Sequence, residues 1–226
     1  MQASEIITKS SKVFYDSLQQ DKNCRYRSWE HCYAIFINAR NTPSVDIDYL
    51  SLHLAFYLAS WGMYRGSSFL LQKDYKVHIP AVKELLDPKY NPLSNPLCST
   101  LTNNLELLDG LNGKLRNYYD KIRIEVKGHK VNNSISDVLI TKILMGTLGC
   151  VPAYDRYFIA GIKKYNIAYA TYNSKSLVSL IDFYASNETE FEKIRSKMTV
   201  SGMPYPQMKF LDMGFWQMGY ELDMSS

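Results

Sequence analysis

Apolar residues recur every three or four positions along most of the 226-residue chain, which is the spacing of amphipathic helices. The clearest helix spans 44–64, where Ser44 or Asp46 can cap the start and regularly spaced leucines keep one face apolar. Alternation typical of a strand occurs only at 122–126. We therefore predict an all-α protein of about eight to eleven helices. Further helices are predicted in 1–40, 80–86, 99–124, 136–149, 154–164, 174–184, 187–198 and the segment after Pro206.

One proline-rich segment interrupts this helical pattern. Residues 87–98 hold three of the eight prolines, so they form a loop rather than a helix. Such a loop fits either a domain boundary or an insertion within one helical domain. A chain of this length can form one sizeable core. We predict a single domain over 1–226, which can divide into lobes 1–125 and 126–226 whose termini pack together.

Composition and charge leave several functions open and remove others. The net charge is +4 and the pI is about 8.7, which permits DNA binding without requiring it. The 18 tyrosines suit stacking surfaces, although tyrosine also packs in helical cores. The sequence contains no P-loop, no dinucleotide-binding glycine motif and none of the common hydrolase or zinc motifs. The four cysteines lack metal-site or redox spacing, and no apolar run reaches membrane length, so we expect a cytoplasmic protein without metal or cofactor.

The stretch 135–164 is the centre around which the rest of the chain is organised. It reads as a helix with a glycine-marked end, a break at Pro152, and a second helix over 154–164 with Asp155 in its first turn. A carboxylate at a helix start is usually a cap that favours the positive end of the helix dipole. Between two apolar helices, the same arrangement can also do chemistry. Three side chains suited to stacking or phosphate contact surround it: Tyr154, Arg156 and Tyr157.

A second candidate site lies in the glycine-containing turn within 61–78. Two glycines flank Arg65, and Ser67 and Ser68 follow directly. One interpretation is a helix terminus and turn, in which glycine supplies the open backbone angles. The other is an anion-binding concavity, in which the guanidinium, the hydroxyls and the backbone amides hold a phosphate.

The segment 151–158, VPAYDRYF, resembles the catalytic segment of the helix-hairpin-helix DNA glycosylases. In that superfamily a hairpin grips a DNA phosphate, a helix follows, and a segment with a proline and a catalytic aspartate comes next. The C-terminal segment 205–219, YPQMKFLDMGFWQMG, is similar to the closing helix of divergent members. Those members include the phage-associated α-glutamyl/putrescinyl thymine pyrophosphorylase group, which acts on hypermodified bases. The resemblance covers 128–165 and the last twenty residues.

The resemblance implies a two-lobed helical fold with a cleft between the lobes, and DNA as the partner. Asn132, Asn133 and Ser134 stand where the glycine-rich hairpin of the family falls, and asparagine tolerates the left-handed angles that a hairpin needs. The lysine of the lyase-type members falls near Val138 here, and Lys142 lies one turn later. A monofunctional glycosylase without Schiff-base chemistry is therefore implied.

The implied reaction breaks the N-glycosidic bond of a damaged or modified base, including bases of invading phage DNA. Asp155 would stabilise the positive charge on the sugar and orient or deprotonate a water. The target base must leave the stack and enter a pocket. The candidate pocket walls are Tyr154, Tyr157, Trp61, Tyr64 and Trp216. The candidate nucleic-acid contacts are Arg65, Ser67, Ser68, Asn132, Asn133, Ser134, Lys142 and Arg156.

Two other functions compete with this one. The first is a non-enzymatic helical nucleic-acid-binding or interaction module, in which Asp155 is only a helix cap and the aromatic residues are ordinary core. The second is a small-molecule enzyme for a phosphorylated substrate, built around Arg65, Ser67, Ser68 and His78. It predicts that these side chains converge in a pocket away from Asp155.

Overall fold

The computed structural model describes residues 2–66, 68–123, 125–126, 129–130 and 134–225. The described part of the chain is predominantly helical, which confirms the prediction of an all-α protein. The α-helices are α1 (Ala3–Gln20), α2 (Ser28–Arg40), α3 (Ile47–Ser60), α4 (Ile79–Leu85), α5 (Cys98–Leu101), α6 (Leu105–Ile122), α7 (Asp137–Thr147), α8 (Arg156–Lys164), α9 (Ser174–Ser186), α10 (Glu188–Arg195) and α11 (Gln207–Met224). Strands β1 (Glu125–Val126) and β2 (His129–Lys130) pair antiparallel, as do β3 (Thr199–Val200) and β4 (Met203–Pro204).

The short strands and one helix start differ from the sequence prediction. The candidate strand at 122–126 contributes only two residues to β1, and the β3–β4 hairpin was not predicted. Strands of two residues are too short to show an alternating pattern. The long helix predicted from Ser99 is divided, because α5 and a 3₁₀ turn precede the start of α6 at Leu105.

Capping side chains fix where the helices begin. The Asp46 carboxylate accepts a hydrogen bond from the Tyr49 amide at 3.0 Å, so the cap of α3 is Asp46 rather than Ser44, the other predicted candidate. At α9 the cap is Asn173, one residue before the start of the helix predicted over 174–184. Asp155 is likewise the N-cap of α8, so it lies just before the helix and not in its first turn as predicted.

Helix α7 forms the centre of the molecule. Every residue from Leu139 to Thr147 is buried, because α2, α3 and α6 all pack against this helix. The Tyr57 hydroxyl donates to the Lys142 carbonyl at 3.1 Å, and the Trp29 indole donates to the Met145 carbonyl at 3.0 Å. Although α7 is apolar on most sides, no helix among the described residues combines the length and apolar character needed to cross a membrane.

Helix α11 packs between α1 and α8 and joins the two ends of the chain. Two glycines bring α8 and α11 unusually close. A Cβ on Gly219 would lie 1.9 Å from the Tyr157 carbonyl oxygen, and one on Gly161 would lie 2.1 Å from the Phe215 carbonyl oxygen. This close approach places the start of α8 beside Trp216, whose ring centroid lies 5.1 Å from that of Tyr157.

Candidate functional site

Asp155 ends a short connection that leaves α7 and is anchored on both sides. Gly149 has a left-handed φ of 69°, which turns the chain away from α7. The Ala153 amide then donates to the Asp212 carboxylate at 2.9 Å, and the Tyr154 amide donates to the Thr141 hydroxyl at 3.0 Å. These bonds hold the connection against α11 and α7 immediately before Asp155.

The Asp155 carboxylate receives donors from the backbone and from a lysine. One oxygen accepts from the amides of Tyr157 and Phe158 at 3.1 and 3.2 Å, which caps α8. The other lies 3.5 Å from the Lys142 ammonium nitrogen. Both oxygens of the Asp155 carboxylate therefore face hydrogen-bond donors or a cation.

Lys142 is buried at the inner edge of the same site. Its ammonium donates to the Trp61 carbonyl at 2.8 Å and lies 5.7 Å from the centroid of the Trp61 ring. Burial lowers the pKa of Lys142, and the nearby Asp155 carboxylate opposes that shift. The sequence predicted Lys142 as a phosphate contact, but the structure places it as the ion-pair partner of Asp155.

Asp155 opens into a cavity of about 780 Å³ with aromatic walls. The rings of Trp216 and Tyr220 stack 5.3 Å apart at 8°, and Tyr26 lies edge-on to Trp216 at 5.4 Å. Such faces and edges suit a planar aromatic ligand. The lining residues that the sequence predicted are Asp155, Trp61, Tyr157, Trp216, Arg65, Lys142 and Arg156.

Arginine side chains line this cavity, and one of them, Arg156, also pairs with Asp223 at 3.4 Å. The Arg25 guanidinium lies 4.7 Å from the Tyr26 ring centroid, and that of Arg156 lies 4.3 Å from the Tyr157 ring centroid. Arg65 completes a set of three lining arginines. Asp155 is the one carboxylate among the lining residues that the structure describes, so an anionic ligand is favoured over a cationic one.

A second groove, of about 470 Å³, adjoins the first cavity. It shares Arg65 with the cavity and brings Ser68, Ser134 and Arg123 together. The Ser68 hydroxyl donates to the Met63 carbonyl at 2.6 Å. The groove therefore joins two segments that the sequence predicted separately as phosphate contacts. The remaining predicted contacts, Ser67, Asn132 and Asn133, lie outside the described residues.

Two predicted pocket walls face elsewhere. Tyr154 is 1% exposed, and its hydroxyl shares a hydrogen bond of 2.8 Å with Ser176 on α9. The Tyr64 hydroxyl bonds the Nε2 of His78 at 2.7 Å instead of entering the cavity. Neither residue lines the cavity around Asp155.

His78 does not belong to a pocket with Arg65. It is fully buried, and its second ring nitrogen bonds the Tyr119 hydroxyl at 2.7 Å. Arg65 instead shares the cavity with Asp155. This arrangement counts against the small-molecule enzyme, which required Arg65 and His78 to converge away from Asp155.

The sequence interpretation missed several residues of the site. Arg25 and Tyr26 come from the turn before α2, where an RYR run was the available signal. Lys209 and Asp212 lie behind the cavity and form an ion pair of 2.8 Å in the core. The sequence feature that could have indicated this pair is a lysine and an aspartate three positions apart in an otherwise apolar helix.

Comparison with known proteins gives no match to a family model, to a curated protein or to a solved structure.

Proposed function

We propose that the protein is a DNA glycosylase of the helix-hairpin-helix type, with Asp155 as its catalytic carboxylate. The observation that carries the proposal is the position of Asp155 in a cavity with aromatic walls and three arginines. The lining residues come from both proposed lobes, Val13 to Arg65 from the first and Ser136 to Tyr220 from the second. This supports a cleft between two lobes.

The chemistry required of Asp155 is electrostatic. When the N-glycosidic bond breaks, its electron pair leaves with the base and positive charge develops on the sugar. A fixed carboxylate beside the sugar stabilises that charge, and it can orient the water that attacks the sugar carbon. Lys142 is engaged by Asp155 and by the Trp61 carbonyl. We therefore propose hydrolysis by water, without a covalent lysine intermediate.

The cavity suits a base that has left the stack. A volume of about 780 Å³ lies within the range of small-molecule sites, roughly 300 to 1,000 Å³. Trp61, Tyr157 and Trp216 offer aromatic surface to such a base, as base-flipping enzymes require. This space supports a damaged or modified base as the substrate.

The arginines supply contacts for the DNA backbone. Arg25, Arg65 and Arg156 line the cavity, so phosphates flanking a flipped nucleotide would meet guanidinium groups. Arg65 also lines the adjoining groove, where Ser68 and Ser134 add polar groups. We propose that this groove carries the neighbouring stretch of the strand.

The decisive test is base release by the Asp155→Asn variant. Purified protein is incubated with DNA that carries ordinary, damaged and hypermodified bases, and freed bases are detected by mass spectrometry. Asparagine is also a good N-cap, so the helix start is retained while the charge is lost. We expect release to fall by about 10² to 10³-fold while DNA binding persists.

The matched control is Asp46→Asn, the same change at the exposed N-cap of α3 and outside the cavity. It should release bases at the wild-type rate. Undiminished release by Asp155→Asn would refute the catalytic assignment.

The second candidate is a non-enzymatic nucleic-acid-binding module. The observation that favours it is the pair of backbone bonds by which Asp155 caps α8. In that case Asp155→Asn, which keeps the cap, would leave the helix start and DNA binding intact, whereas Asp155→Ala would lower stability by about 1 kcal/mol. Salt-sensitive DNA binding by a wild-type protein that releases no base would favour this module.

A further inference from the structure

We propose that the buried Lys209–Asp212 pair positions Asp155 and the aromatic wall of the cavity from behind. Asp212 anchors the connection before Asp155, and Lys209 packs against rings that line the cavity. Both are positioning residues, since neither lines the cavity. The catalytic consequence of this inference rests on the proposed function, whereas the anchoring itself does not.

Asp212 connects α11 to the segment that carries Asp155. One of its oxygens accepts from the Ala153 amide at 2.9 Å, and the other accepts from Lys209 at 2.8 Å. Ala153 precedes Asp155 by two residues, and its carbonyl accepts from the Asp155 amide at 2.8 Å. A displacement of Ala153 would therefore be passed directly to Asp155.

Lys209 contacts the aromatic wall through cation–π interactions. Its ammonium nitrogen lies 4.7 Å from the ring centroid of Trp61 and 5.5 Å from that of Phe14. Both rings line the cavity. Trp61 also carries the carbonyl that accepts from Lys142. The two lysines therefore contact the same residue, Lys142 at its carbonyl and Lys209 at its ring.

Stability alone does not account for this pair. Both side chains are 1% exposed, and taking two charges out of water is costly. Apolar residues of similar volume are often as stabilising at such positions. They would, however, leave the buried Ala153 amide without its acceptor. The pair is therefore better explained by the acceptor that it provides for the Ala153 amide than by a net contribution to stability.

The test compares two charge-free double variants of the full chain. Lys209→Met with Asp212→Asn retains an amide oxygen for Ala153, whereas Lys209→Met with Asp212→Leu removes the acceptor. Neither leaves an unpaired buried charge, so both should fold. Hydrogen–deuterium exchange is read at the Ala153 amide, with the amides of α11 as the internal reference.

We expect protection of Ala153 in the Asn variant and loss of protection in the Leu variant, with α11 protected in both. For base release, kcat of the Leu variant should be about 100-fold lower than kcat of the Asn variant, as displacements near 1 Å can cause. Its KM should stay within about twofold of that of the Asn variant, because both variants lack Lys209 and keep the cavity arginines. If the pair only stabilised the fold, kcat would not fall while KM stayed nearly constant.

Equal protection of Ala153 in the two variants would overturn the anchoring role. Equal kcat in both, with an active wild type, would overturn its contribution to catalysis. A third outcome is a wild type that releases no base from any DNA and binds no duplex with a tetrahydrofuran abasic site. That outcome would refute the proposed function. The exchange measurement would still show whether Asp212 anchors Ala153.

Discussion

Two lysine–aspartate pairs lie near Trp61 and differ mainly in their access to solvent. The Lys142–Asp155 pair is 3.5 Å apart, with side chains 6% and 14% exposed. The Lys209–Asp212 pair is 2.8 Å apart, with both side chains 1% exposed. Burial raises the pKa of Asp212, and the Lys209 ammonium opposes this shift.

The difference shows how the same two residue types can serve different purposes. Asp155 keeps a loose contact with its lysine and lines a cavity, so a ligand can reach it. Asp212 is shielded from solvent and bonds only groups of the protein interior. This difference fits the proposed roles, since a reactive carboxylate at Asp155 needs access and an anchoring carboxylate at Asp212 needs burial and close partners.

Removing one lysine from each pair should give the largest effect on stability. Lys209→Met leaves the Asp212 carboxylate in the core without its cation, which should cost about 3 to 5 kcal/mol. Lys142→Met leaves Asp155 with two backbone donors and partial solvent access, which should cost about 1 to 2 kcal/mol. Urea unfolding at neutral pH measures both values. Equal losses would show that the two pairs are energetically alike.

The distance between the two pairs depends on how closely α8 approaches α11. Gly219→Ala would bring a methyl group against the Tyr157 carbonyl, so we expect a loss of about 2 to 3 kcal/mol and a shift of the start of α8. Gly110→Ala on α6 is the control, because nothing lies within 4 Å of the added Cβ. It should raise stability by about 0.5 to 1 kcal/mol. A Gly219→Ala protein as stable as wild type would show that the helices can separate freely.

His78 is a buried polar side chain that, unlike the two lysine–aspartate pairs, has no ion-pair partner among the described residues. Burial lowers its pKa from 6.5 to about 4. The unfolded chain therefore binds a proton that the folded protein does not, so stability falls as the pH drops from 6.5 towards 4. We expect a loss of about 2 kcal/mol between pH 7 and pH 5.

The His78→Gln variant should lose this pH dependence while the two ion pairs remain. Urea unfolding at both pH values measures the change. The same slope in the variant and the wild type would assign the titration to another group.

Local features of the sequence predicted much of the helical framework. The Ser136 hydroxyl accepts from the Leu139 amide at the start of the helix predicted over 136–149, and Asp46 is one of the two residues predicted to cap α3. The glycine-marked end of α7 and the break at Pro152 were also predicted. Such features depend on backbone angles and on side chains within a few residues, so a single sequence reveals them.

The direction of the side chains was harder to predict. Tyr157 lines the cavity and Tyr154, three residues earlier, points into the core. Tyr154 precedes the N-cap of α8, so the helical repeat does not fix where its ring points. The Thr141 and Ser176 bonds from other helices decide it.

The sequence by itself determined the helical class, most helix starts and the residue types near Asp155. Only the tertiary structure decided that Lys142 pairs with Asp155 and that Asp212 holds Ala153, across separations of 13 and 59 residues. It also brought Arg25 and Tyr26 to the same cavity. Local preferences fix backbone geometry, but long-range pairing depends on how the helices pack, and the close contact at Gly161 and Gly219 sets that packing between α8 and α11.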